Sequence, residues 1–428
     1  MTAEKTLRVA ALIDLPRSAE AGGHVKCWER LAAAAAEGGS PLDLTVYFSG
    51  RESTETLGPQ TRIRQLPPVF STKTLKFLPY VPDHTDLAPF HPRLARELPD
   101  YDVIHTTDGF FAFARTAARV SLAHNIPLVT SFHTDTPAYA RIFTRRTIEK
   151  IFGWPGGRML ARKMIEDWRL PEKQEKTMED KLRRHLRHCR YALVTRAEDQ
   201  ALAESILGSE HVRLLRLGVD KAMFGPHRAD RAGIEADYGI PPGRIVLLFV
   251  GRVDIGKNVQ TLAAAMEKLL AQGVPLHLVV AGKGPAAAEV KSRLGRHASL
   301  PGFIAPQDLA RLYASVDGLA LCSEVEIRSM AGVEAMASGC PALVSEKSGI
   351  AQLFNYTPAM HTVASGMDAW AGALGAFAAD PARRAAMRTE ASEYGHRYLA
   401  GWQDVLAEDL FAIWQRAAVR TDSAHRAA

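Results

Sequence analysis

The sequence is poor in cysteine and lacks any long apolar run. Its 428 residues include four cysteines, none of them in a C-x-x-C spacing. This excludes a disulfide framework and a zinc-ribbon site, and it favours a reducing compartment. No apolar run is longer than Ile245–Val250, which has the length of a strand and is far too short to span a membrane as a helix. The chain also opens without a basic-then-apolar leader, so we expect a cytoplasmic protein.

Positive charge is concentrated in one segment. The formal net charge is +6, yet residues 141–190 alone carry fifteen Lys and Arg against seven Asp and Glu. Such a segment can attract an anionic membrane, a nucleic acid or a phosphorylated substrate. Two interpretations of residues 139–190, which include Trp154 and Trp168, stay open: a solvated helical face, or a basic surface with aromatic anchors that docks on anionic lipid. No nucleic-acid partner is expected, because no recognition motif is present and the segment carries acidic residues.

Strand-like and helix-like segments alternate along most of the chain. Strands are predicted at residues 7–13, 44–48, 103–105, 128–132, 192–195, 245–250, 276–281, 319–322 and 342–345. Helices are predicted at residues 24–37, 111–124, 198–207, 259–272, 286–294, 306–314, 330–338, 367–379, 381–391 and 403–420. A turn-rich break at residues 217–226 separates two series of this kind.

This alternation predicts an α/β protein with two doubly wound, Rossmann-like domains built on parallel sheets. The length also favours two domains, since one domain takes roughly 100–200 residues. We place the N-terminal domain at residues 1–217, the second at 218–395, and a C-terminal helix at 396–428 that packs back on the N-terminal domain and ends in a frayed tail at 421–428. Because ligands bind at the carboxyl ends of strands in such sheets, the loops after strands are the candidate sites.

Two glutamates eight positions apart, Glu326 and Glu334, mark the most informative stretch. Glu334 falls early in a predicted helix, and Glu326 lies in the loop that enters it. The helix N-terminus favours a bound phosphate, and a carboxylate there can accept hydrogen bonds from two adjacent ribose hydroxyls. The loop carboxylate can do the same for a sugar ring. The alternative is that one glutamate favours the helix dipole and the other lies in water.

Two glycine-containing loops follow strands of the second series. Gly251, Arg252 and Lys257 supply a turn, a forked donor and a point charge, the set that a phosphate site requires. The alternative is an ordinary loop with surface cations. Gly282 opens a Gly-Lys-Gly-Pro turn whose proline departs from the dinucleotide-binding fingerprint. We interpret it as a tight turn near a nucleotide base.

The N-terminal half offers glycines and histidines after strands. Gly22 and Gly23 precede the first helix, where they let the backbone approach a ligand closely. His105 and His133 each stand at the end of a predicted strand. A lone histidine is more often structural, but two of them at the carboxyl edge of one sheet favour a role in a cleft.

Taken in this order, the motifs resemble glycosyltransferase family 4, whose members are retaining enzymes with the GT-B fold. The family shows a double glycine, a histidine after a strand, a G-V-D linker, G-R-x-x-x-x-K, a G-x-G-P turn and two glutamates eight apart leading into E-A-M-A-x-G-x-P. The corresponding residues here are Gly22-Gly23, His133, Gly218-Val219-Asp220, Gly251-Arg252 with Lys257, Gly282 with Gly284-Pro285, and Glu326 followed by the run 334–341. The resemblance implies two Rossmann-like domains whose parallel sheets face each other across a cleft.

The resemblance also implies roles. The substrate would be a UDP- or GDP-sugar of hexose type, bound with no metal and no other cofactor. The implied catalytic residues are His133, Glu326, Arg252 and Lys257. The implied donor-binding residues are Gly22, Gly23, Gly251, Arg252, Lys257, Gly282, Glu326, Arg328, Ser329, Met330 and Glu334. Residues on the acceptor side would be His24, His105, Asp135 and Tyr139. Retention of configuration is implied by the family alone.

One loop departs from the family pattern. Where the family has a small residue followed by Phe-Gly, this chain has Ile327-Arg328-Ser329. Arg328 could bind the carboxylate of an acidic donor such as a uronic acid. Alternatively, it pairs with Glu324 or faces solvent. The altered loop also keeps open a catalytically degenerate protein that acts as a binding or regulatory partner.

The region after His133 is similar to lipid-acting members of the family. This similarity covers Asp135, Tyr139 and the basic segment that follows. It implies a lipid or lipid-linked acceptor, and it implies that the protein lies peripherally on the inner face of an anionic membrane.

Overall fold

The computed structural model describes residues 6–71, 86–354 and 357–419. The chain forms two compact units, one comprising Met1–Arg216 with Gln403–Ala428 and the other Leu217–Trp402. The tail predicted to fray at 421–428 lies outside the described residues.

The first unit is built on a sheet with strand order β3-β4-β2-β1-β5-β6-β7-β8 among the described residues. The strands are β1 (Leu7–Pro16), β2 (Leu42–Ser49), β3 (Ser53–Gly58), β4 (Thr61–Leu66), β5 (Val103–Thr106), β6 (Leu128–Ser131), β7 (Tyr191–Val194) and β8 (Val212–Leu214). Neighbouring strands are parallel except β3 and β4, which are antiparallel. The sequence patterns missed β3, β4 and β8, because these strands are short, partly polar and close to the sheet edges.

Helices cover the sheet of the first unit. They are α1 (Gly23–Glu37), α2 (Pro92–Glu97), α3 (Ala112–His124), α4 (Thr136–Phe152), α5 (Arg158–Arg162), α6 (Leu170–Leu186) and α7 (Ala197–Leu207). A π-helical turn, Lys163–Asp167, follows α5. Successive side chains of a strand point to opposite faces. Ala10 and Leu12 of β1 accordingly pack in one apolar cluster with Phe113 of α3.

The second unit contains a parallel sheet with the order β11-β10-β9-β12-β13-β14 in the described part of the chain. The strands are β9 (Ile245–Val250), β10 (Leu276–Ala281), β11 (Ala298–Gly302), β12 (Gly318–Leu321), β13 (Ala342–Ser345) and β14 (Met360–Val363). Its helices are α8 (Arg231–Tyr238), α9 (Val259–Ala271), α10 (Ala287–Leu294), α11 (Pro306–Ser315), α12 (Met330–Ala337), α13 (Gly349–Leu353), α14 (Met367–Ala379) and α15 (Pro381–Tyr398). The core joins Leu247 and Phe249 of β9 with Met266 of α9.

The C-terminal helical segment returns to the first unit. It consists of α16 (Trp402–Asp404), a π-helical stretch Val405–Phe411 and α17 (Ala412–Ala418). Asp409 accepts hydrogen bonds from both the backbone and the guanidinium of Arg216. Arg190 donates to the carbonyl of Ala417 at 2.8 Å. The sequence predicted one helix here, but amphipathicity alone did not reveal the π-helical stretch.

The boundary between the second unit and this segment lies at residue 402, rather than at 395 as predicted. The reason is local: α15 continues to Tyr398, and Val219 donates a backbone hydrogen bond to Ala400 at 3.0 Å. Residues 396–402 are therefore tied to the start of the second unit.

Candidate functional site

Each sheet contains a point at which the strand order reverses. In the second unit this point lies between β9 and β12, and in the first unit between β1 and β5. Connections leave the two strands in opposite directions at such a point, which opens a crevice at their carboxyl ends. The loops after β9 and β12, and those after β1 and β5, are therefore the places where a ligand fits these sheets.

The glycine loops of the second unit are packed backbone against backbone. Gly251 has a φ of +141° and Gly282 a φ of +152°, values that L residues with side chains rarely adopt. A Cβ at Gly282 would lie 1.9 Å from the carbonyl oxygen of Gly251. The structure thus gives Gly282 a packing reason, and its contact with a donor stays a prediction.

The loop after β9 brings one predicted cation to a predicted carboxylate. Lys257 Nζ lies 2.8 Å from Glu326 Oε1, and the two side chains are 18% and 13% exposed. Arg252 is half exposed, with Nη1 3.3 Å from a carboxylate oxygen of Asp254. Asp254 in turn accepts from the backbone N–H of Lys257 at 3.1 Å. Both cations therefore lie in one loop, where carboxylates balance them.

Two polar bridges fix this loop against the loop after β12. Ser323 Oγ donates to the carbonyl of Gly256 at 3.0 Å, and Asn258 Nδ2 donates to the carbonyl of Cys322 at 3.4 Å. Asn258 has a φ of +54°, a conformation that asparagine tolerates better than most residues. The motif analysis missed Asn258 and Ser323, although an asparagine between a loop and a helix is a recognisable turn signal.

Glu326 is also held through its backbone. Its carbonyl accepts a hydrogen bond of 2.7 Å from the N–H of Gly349. A Cβ at Gly349 would lie 2.3 Å from the carbonyl oxygen of Ile327, so this glycine permits a close contact between two segments. The segment that carries Glu326 is thus braced from both sides.

Helix α12 begins at the predicted donor site. Ser329 is its N-cap, and the hydroxyl of Ser329 accepts from the N–H of Gly332 at 3.3 Å. Met330 is the first helical residue and is half-buried. Glu334 accepts a hydrogen bond from the hydroxyl of Tyr313 at 3.2 Å. Burial raises the pKa of Tyr313 well above its usual value, so the phenol stays protonated and donates.

Arg328 lies in the loop before α12, and its side chain was expected either to bind an acidic donor or to pair with Glu324 or face solvent. Its side chain is half-buried, and its Nε and Nη1 atoms are shielded from solvent. Glu324, the other expected neighbour, forms an ion pair of 3.3 Å with Lys347. A role for Arg328 in binding an acidic donor stays a prediction.

Gly22 and Gly23 start α1 of the first unit, after β1. Gly22 is the N-cap with φ −68°, and no side chain caps the helix there. A Cβ at Gly22 would have no neighbour within 4 Å among the residues that the structure describes. Neither the backbone conformation nor packing against the described part of the chain requires a glycine here. The N-terminal N–H groups of α1 are thus approachable at this point, as an anion requires.

His133 follows β6 and lies among aromatic side chains. Its Nε2 is 2.8 Å from Ser131 Oγ and 3.4 Å from Trp28 Nε1. The ring of His24 stacks on it with a centroid distance of 4.3 Å and an interplanar angle of 4°. His24 and Trp28 stand four residues apart on α1 and so share a helix face. The structure therefore brings together two of the predicted residues, His24 and His133.

His105 lies at the end of β5 and joins the same cluster from the other side. Its Nε2 is 2.8 Å from Ser131 Oγ, and Trp414 Nε1 donates to its Nδ1 at 2.9 Å. Burial lowers the pKa of His105 to about 3, so the ring is neutral over most of the pH range. The motifs missed Ser131 and Trp414.

Asp135 and Tyr139 lie at the start of α4. Asp135 is the N-cap, accepts from the N–H of Ala138 at 3.0 Å, and pairs with Arg196 at 2.8 Å. Tyr139 stacks on Phe143 with a centroid distance of 5.7 Å. These contacts explain both residues locally, and a contact with the acceptor stays a prediction.

The exposed side of α4, α5 and α6, called here the basic helical surface, combines cations with large apolar side chains. Trp154 is 61% exposed and Met159 84%. Ile151, Leu160 and Trp168 are also exposed. Some of the charge is balanced, since Arg145 and Arg146 both pair with Glu149. Among the helices that the structure describes, none is long and apolar enough to cross a membrane.

Two family models match the chain. The model described as Glycosyltransferase Family 4 matches residues 21–223, and the model described as Glycosyl transferases group 1 matches residues 230–394. Between them they reach from the start of α1 to the end region of α15.

Curated relatives match part of the chain. The D-inositol 3-phosphate glycosyltransferase of Rhodococcus erythropolis is 27% identical over 243 residues, which is 53% of this chain and 54% of the relative. The GDP-mannose-dependent alpha-(1-6)-phosphatidylinositol dimannoside mannosyltransferase of Mycobacterium tuberculosis is 30% identical over 149 residues, or 34% of this chain and 39% of the relative. The matched region thus spans about half the length of these relatives, or less.

Solved structures match nearly the whole chain in fold. The sucrose-phosphate synthase of Thermosynechococcus elongatus has a TM-score of 0.70 at 18% identity and covers 97% of this chain and 100% of its own. HepE of Anabaena, in complex with UDP and glucose, has a TM-score of 0.63 at 15% identity and covers 96% and 98%. These likenesses confirm the predicted α/β GT-B fold.

Proposed function

This chain belongs to the glycosyltransferases of family 4, also described as glycosyl transferases group 1, and from that premise we propose that it moves a hexose from a UDP- or GDP-sugar to an acceptor hydroxyl with retention. The observation that carries the proposal is the arrangement of Arg252, Lys257 and Glu326 in the loops that follow β9 and β12. Two cations and a carboxylate at this point match the diphosphate and the sugar of one donor molecule.

The diphosphate would bind Arg252 and Lys257. Arg252 offers forked N–H donors from a half-exposed position, and Lys257 offers a compact charge. A diphosphate that reaches Lys257 competes with Glu326 for its ammonium group. Glu326 then accepts hydrogen bonds from hydroxyls of the sugar. As the bond to the sugar breaks, negative charge grows on the diphosphate, and both cations stabilise it.

The ribose would bind Glu334. The hydroxyl of Tyr313 orients the carboxylate of Glu334 by a hydrogen bond. A fixed carboxylate can accept from both hydroxyls of a ribose.

We expect no metal to be needed, because two protein cations replace it at the diphosphate. Among the described residues, no group of three or more His, Cys, Asp and Glu could hold a metal ion. Activity that persists in EDTA is the expected result.

Thermal unfolding with UDP, GDP, ADP and NAD, with and without magnesium, tests the donor site. A ligand at about 100 times its Kd adds about 2.7 kcal/mol of stability. We expect a selective shift with UDP or GDP that is independent of magnesium and lost in Glu334→Gln. Glu324→Gln is the matched control, because Glu324 pairs with Lys347 and has no assigned donor contact. No shift with any nucleoside diphosphate would contradict the donor site.

The acceptor is proposed to be a lipid or a lipid-linked molecule. The basic helical surface supports this, because exposed Trp154 and Trp168 lie among cations, as on proteins that bind an anionic membrane surface. The name of the mycobacterial relative includes a phosphatidylinositol dimannoside. The protein would then act at the inner face of a membrane.

Sedimentation with vesicles tests the membrane proposal. We expect binding to vesicles that contain anionic phospholipid, weak binding to neutral ones, and release as salt rises. Trp154→Ser combined with Trp168→Ser should weaken binding. Tyr398→Ser is the control, since Tyr398 is equally exposed but lies in the second unit. Equal binding of neutral and anionic vesicles, or none, would contradict the proposal.

A degenerate, binding-only protein is the second candidate, and the unusual loop around Arg328 favours it. Such a protein would bind a nucleoside diphosphate without turnover across a panel of donors and acceptors. If turnover is found, the same panel tests whether Arg328 selects acidic sugars. Arg328→Ala should then lose its preference for a uronic acid donor over a neutral one, and an unchanged preference would remove the idea.

A further inference from the structure

A chain of hydrogen bonds crosses the interior of the first unit from the C-terminal helical segment to His133. Trp414 Nε1 lies 2.9 Å from His105 Nδ1, and His105 Nε2 lies 2.8 Å from Ser131 Oγ. The same hydroxyl lies 2.8 Å from His133 Nε2. All four side chains are buried. Because these four side chains are buried from water, the donor and the acceptor of each hydrogen bond are set by the groups themselves.

One end of the chain fixes the proton of His105. An indole N–H is a donor only, so Nδ1 of His105 must accept from Trp414. The buried ring is neutral, as its lowered pKa of about 3 indicates. It therefore carries its proton on Nε2 and donates to the oxygen of Ser131. Trp28 and Trp414 both pack edge-on against this ring, with centroid distances of 5.0 and 5.7 Å.

The other end of the chain fixes the acceptor atom of His133. Trp28 Nε1, again a donor only, points at His133 Nε2 from 3.4 Å. The oxygen of Ser131 already accepts from His105, so its single proton is left to donate to that same Nε2. The two donors share the single lone pair of Nε2, with Ser131 at the shorter distance. A neutral His133 in this arrangement carries its proton on Nδ1, and any further hydrogen bond of the ring is a donation from Nδ1.

We propose that Trp414, His105 and Ser131 are positioning residues that hold His133 in one ring plane and as the Nδ1-protonated tautomer, so that the C-terminal helical segment is part of the reaction apparatus of the first unit. The proposal rests on the proposed function in one respect, the catalytic role in sugar transfer that the family resemblance implies for His133. None of the three positioning residues needs to touch a substrate. A neutral ring with a fixed donor edge can bind a hydroxyl without adding charge at the reaction centre.

Ring nitrogen shifts test the tautomer directly. In protein labelled with ¹⁵N-histidine, the two nitrogens of His133 are assigned by their loss in His133→Gln. The wild type should show a protonated Nδ1 and an unprotonated Nε2. Ser131→Ala removes one oxygen from the middle of the chain and should give a mixture of tautomers. Ser131→Thr retains a hydroxyl and should restore the wild-type shifts.

Kinetics test the positioning role. We expect Ser131→Ala and Trp414→Phe to lower kcat about tenfold while KM for the donor changes by less than about twofold, because orientation is lost but donor contacts remain. Trp370→Phe is the control, since it makes the same change at an equally buried indole of the second unit. It should leave kcat unchanged.

Specific results overturn the inference. It fails if Ser131→Ala and Trp414→Phe both retain the Nδ1-protonated shifts and wild-type kcat. If Trp414→Phe does not fold while Trp370→Phe does, the comparison of Ser131→Ala with Ser131→Thr decides alone. If the wild type transfers no sugar from any donor, the proposed function fails instead, and the ring shifts still report whether this chain sets the tautomer.

Discussion

Polar groups at strand ends are held in opposite ways in the two units. In the second unit they lie in the loops after β9 and β12, and in the first unit they form the cluster of His105, Ser131 and His133. The loops use full charges at partly exposed positions, with Lys257 paired to Glu326 and Arg252 beside Asp254. The cluster uses histidine and tryptophan rings and one hydroxyl in the interior, and burial keeps the His105 ring neutral by lowering its pKa to about 3. Charges that can be re-paired suit a site that must admit a diphosphate. Neutral groups with fixed directions suit a site that must position one ring.

The largest effect should come from breaking the charged site. Lys257→Ala removes the compact charge next to the proposed diphosphate and leaves Glu326 without its ion pair. We expect kcat/KM to fall about 10²- to 10³-fold, the usual loss for one donor that stabilises transition-state charge. Steady-state kinetics with the donor identified by thermal shift measures this. Lys347→Ala is the control, because Lys347 also pairs with a glutamate but lies outside the assigned donor residues. Equal losses in both variants would sink the assignment.

The glycines of the two units should differ in what they cost when substituted. Gly282→Ala places a Cβ 1.9 Å from the carbonyl oxygen of Gly251 at a φ of +152°, so we expect a loss of stability of about 2 kcal/mol or more. Gly22→Ala meets no described residue within 4 Å and has an ordinary φ, so its stability change should stay below about 0.5 kcal/mol.

Urea unfolding of both glycine variants, together with donor affinity, tests this contrast. Gly22→Ala should weaken donor binding while leaving the unfolding midpoint in place. A Gly22→Ala variant with full donor affinity would show that no ligand approaches the start of α1. A stable Gly282→Ala variant would show that the two glycine loops can separate.

The loops of the second unit were largely predictable from sequence, and the cluster of the first unit was not. Gly251, Arg252, Lys257, Glu326 and Glu334 lie in short motifs whose spacing places them after strands, so the sequence indicated them. Contacts among them, such as the ion pair of Lys257 with Glu326, depend on the fold and could not be predicted from the motifs. In the cluster, His105 and Trp414 are 309 positions apart, and Ser131 belongs to no motif. Only the sheet and the returning C-terminal segment bring such residues together.

The same distinction holds for the secondary structure. Strands with long apolar runs, such as β9 and residues 278–281 of β10, were predicted because burial on both faces leaves a clear pattern. Strand β3 is polar except for Leu57 and Gly58, and it pairs antiparallel at the edge of its sheet. Its formation depends on a neighbour, β4, rather than on its own composition. The predicted parallel sheet of the first unit therefore needed this one antiparallel addition.

Acid should test the neutral cluster. The folded pKa of His105 is lowered to about 3 by burial, whereas in the unfolded chain it is near the usual value of about 6.5. Between these values the unfolded state binds the proton and the folded state does not. The contribution of His105 to stability is therefore complete above about pH 6.5 and is lost as the pH falls towards 3.

The difference between wild type and His105→Gln isolates this contribution, because the carboxylates that also titrate in acid are common to both. We expect the free energy of unfolding of the wild type to fall more steeply between pH 7 and pH 4 than that of His105→Gln. Urea unfolding followed by tryptophan fluorescence measures it. Parallel curves would mean that His105 accepts a proton in the folded state, which would contradict the neutral cluster.

A much smaller effect than that of Lys257→Ala should come from Tyr313, which joins a neutral donor to a charged acceptor and so combines features of both regions. Its buried hydroxyl donates to Glu334 at 3.2 Å. Tyr313→Phe keeps the ring and its packing but removes this bond, so we expect a loss of stability of about 1 kcal/mol. Nucleotide affinity should fall a few-fold, because Glu334 keeps its charge but loses its orientation. The matched change Tyr394→Phe alters a tyrosine outside this contact and should leave affinity unchanged. If Tyr313→Phe binds UDP or GDP as tightly as the wild type, Glu334 needs no orienting partner, and the carboxylate alone recognises the ribose.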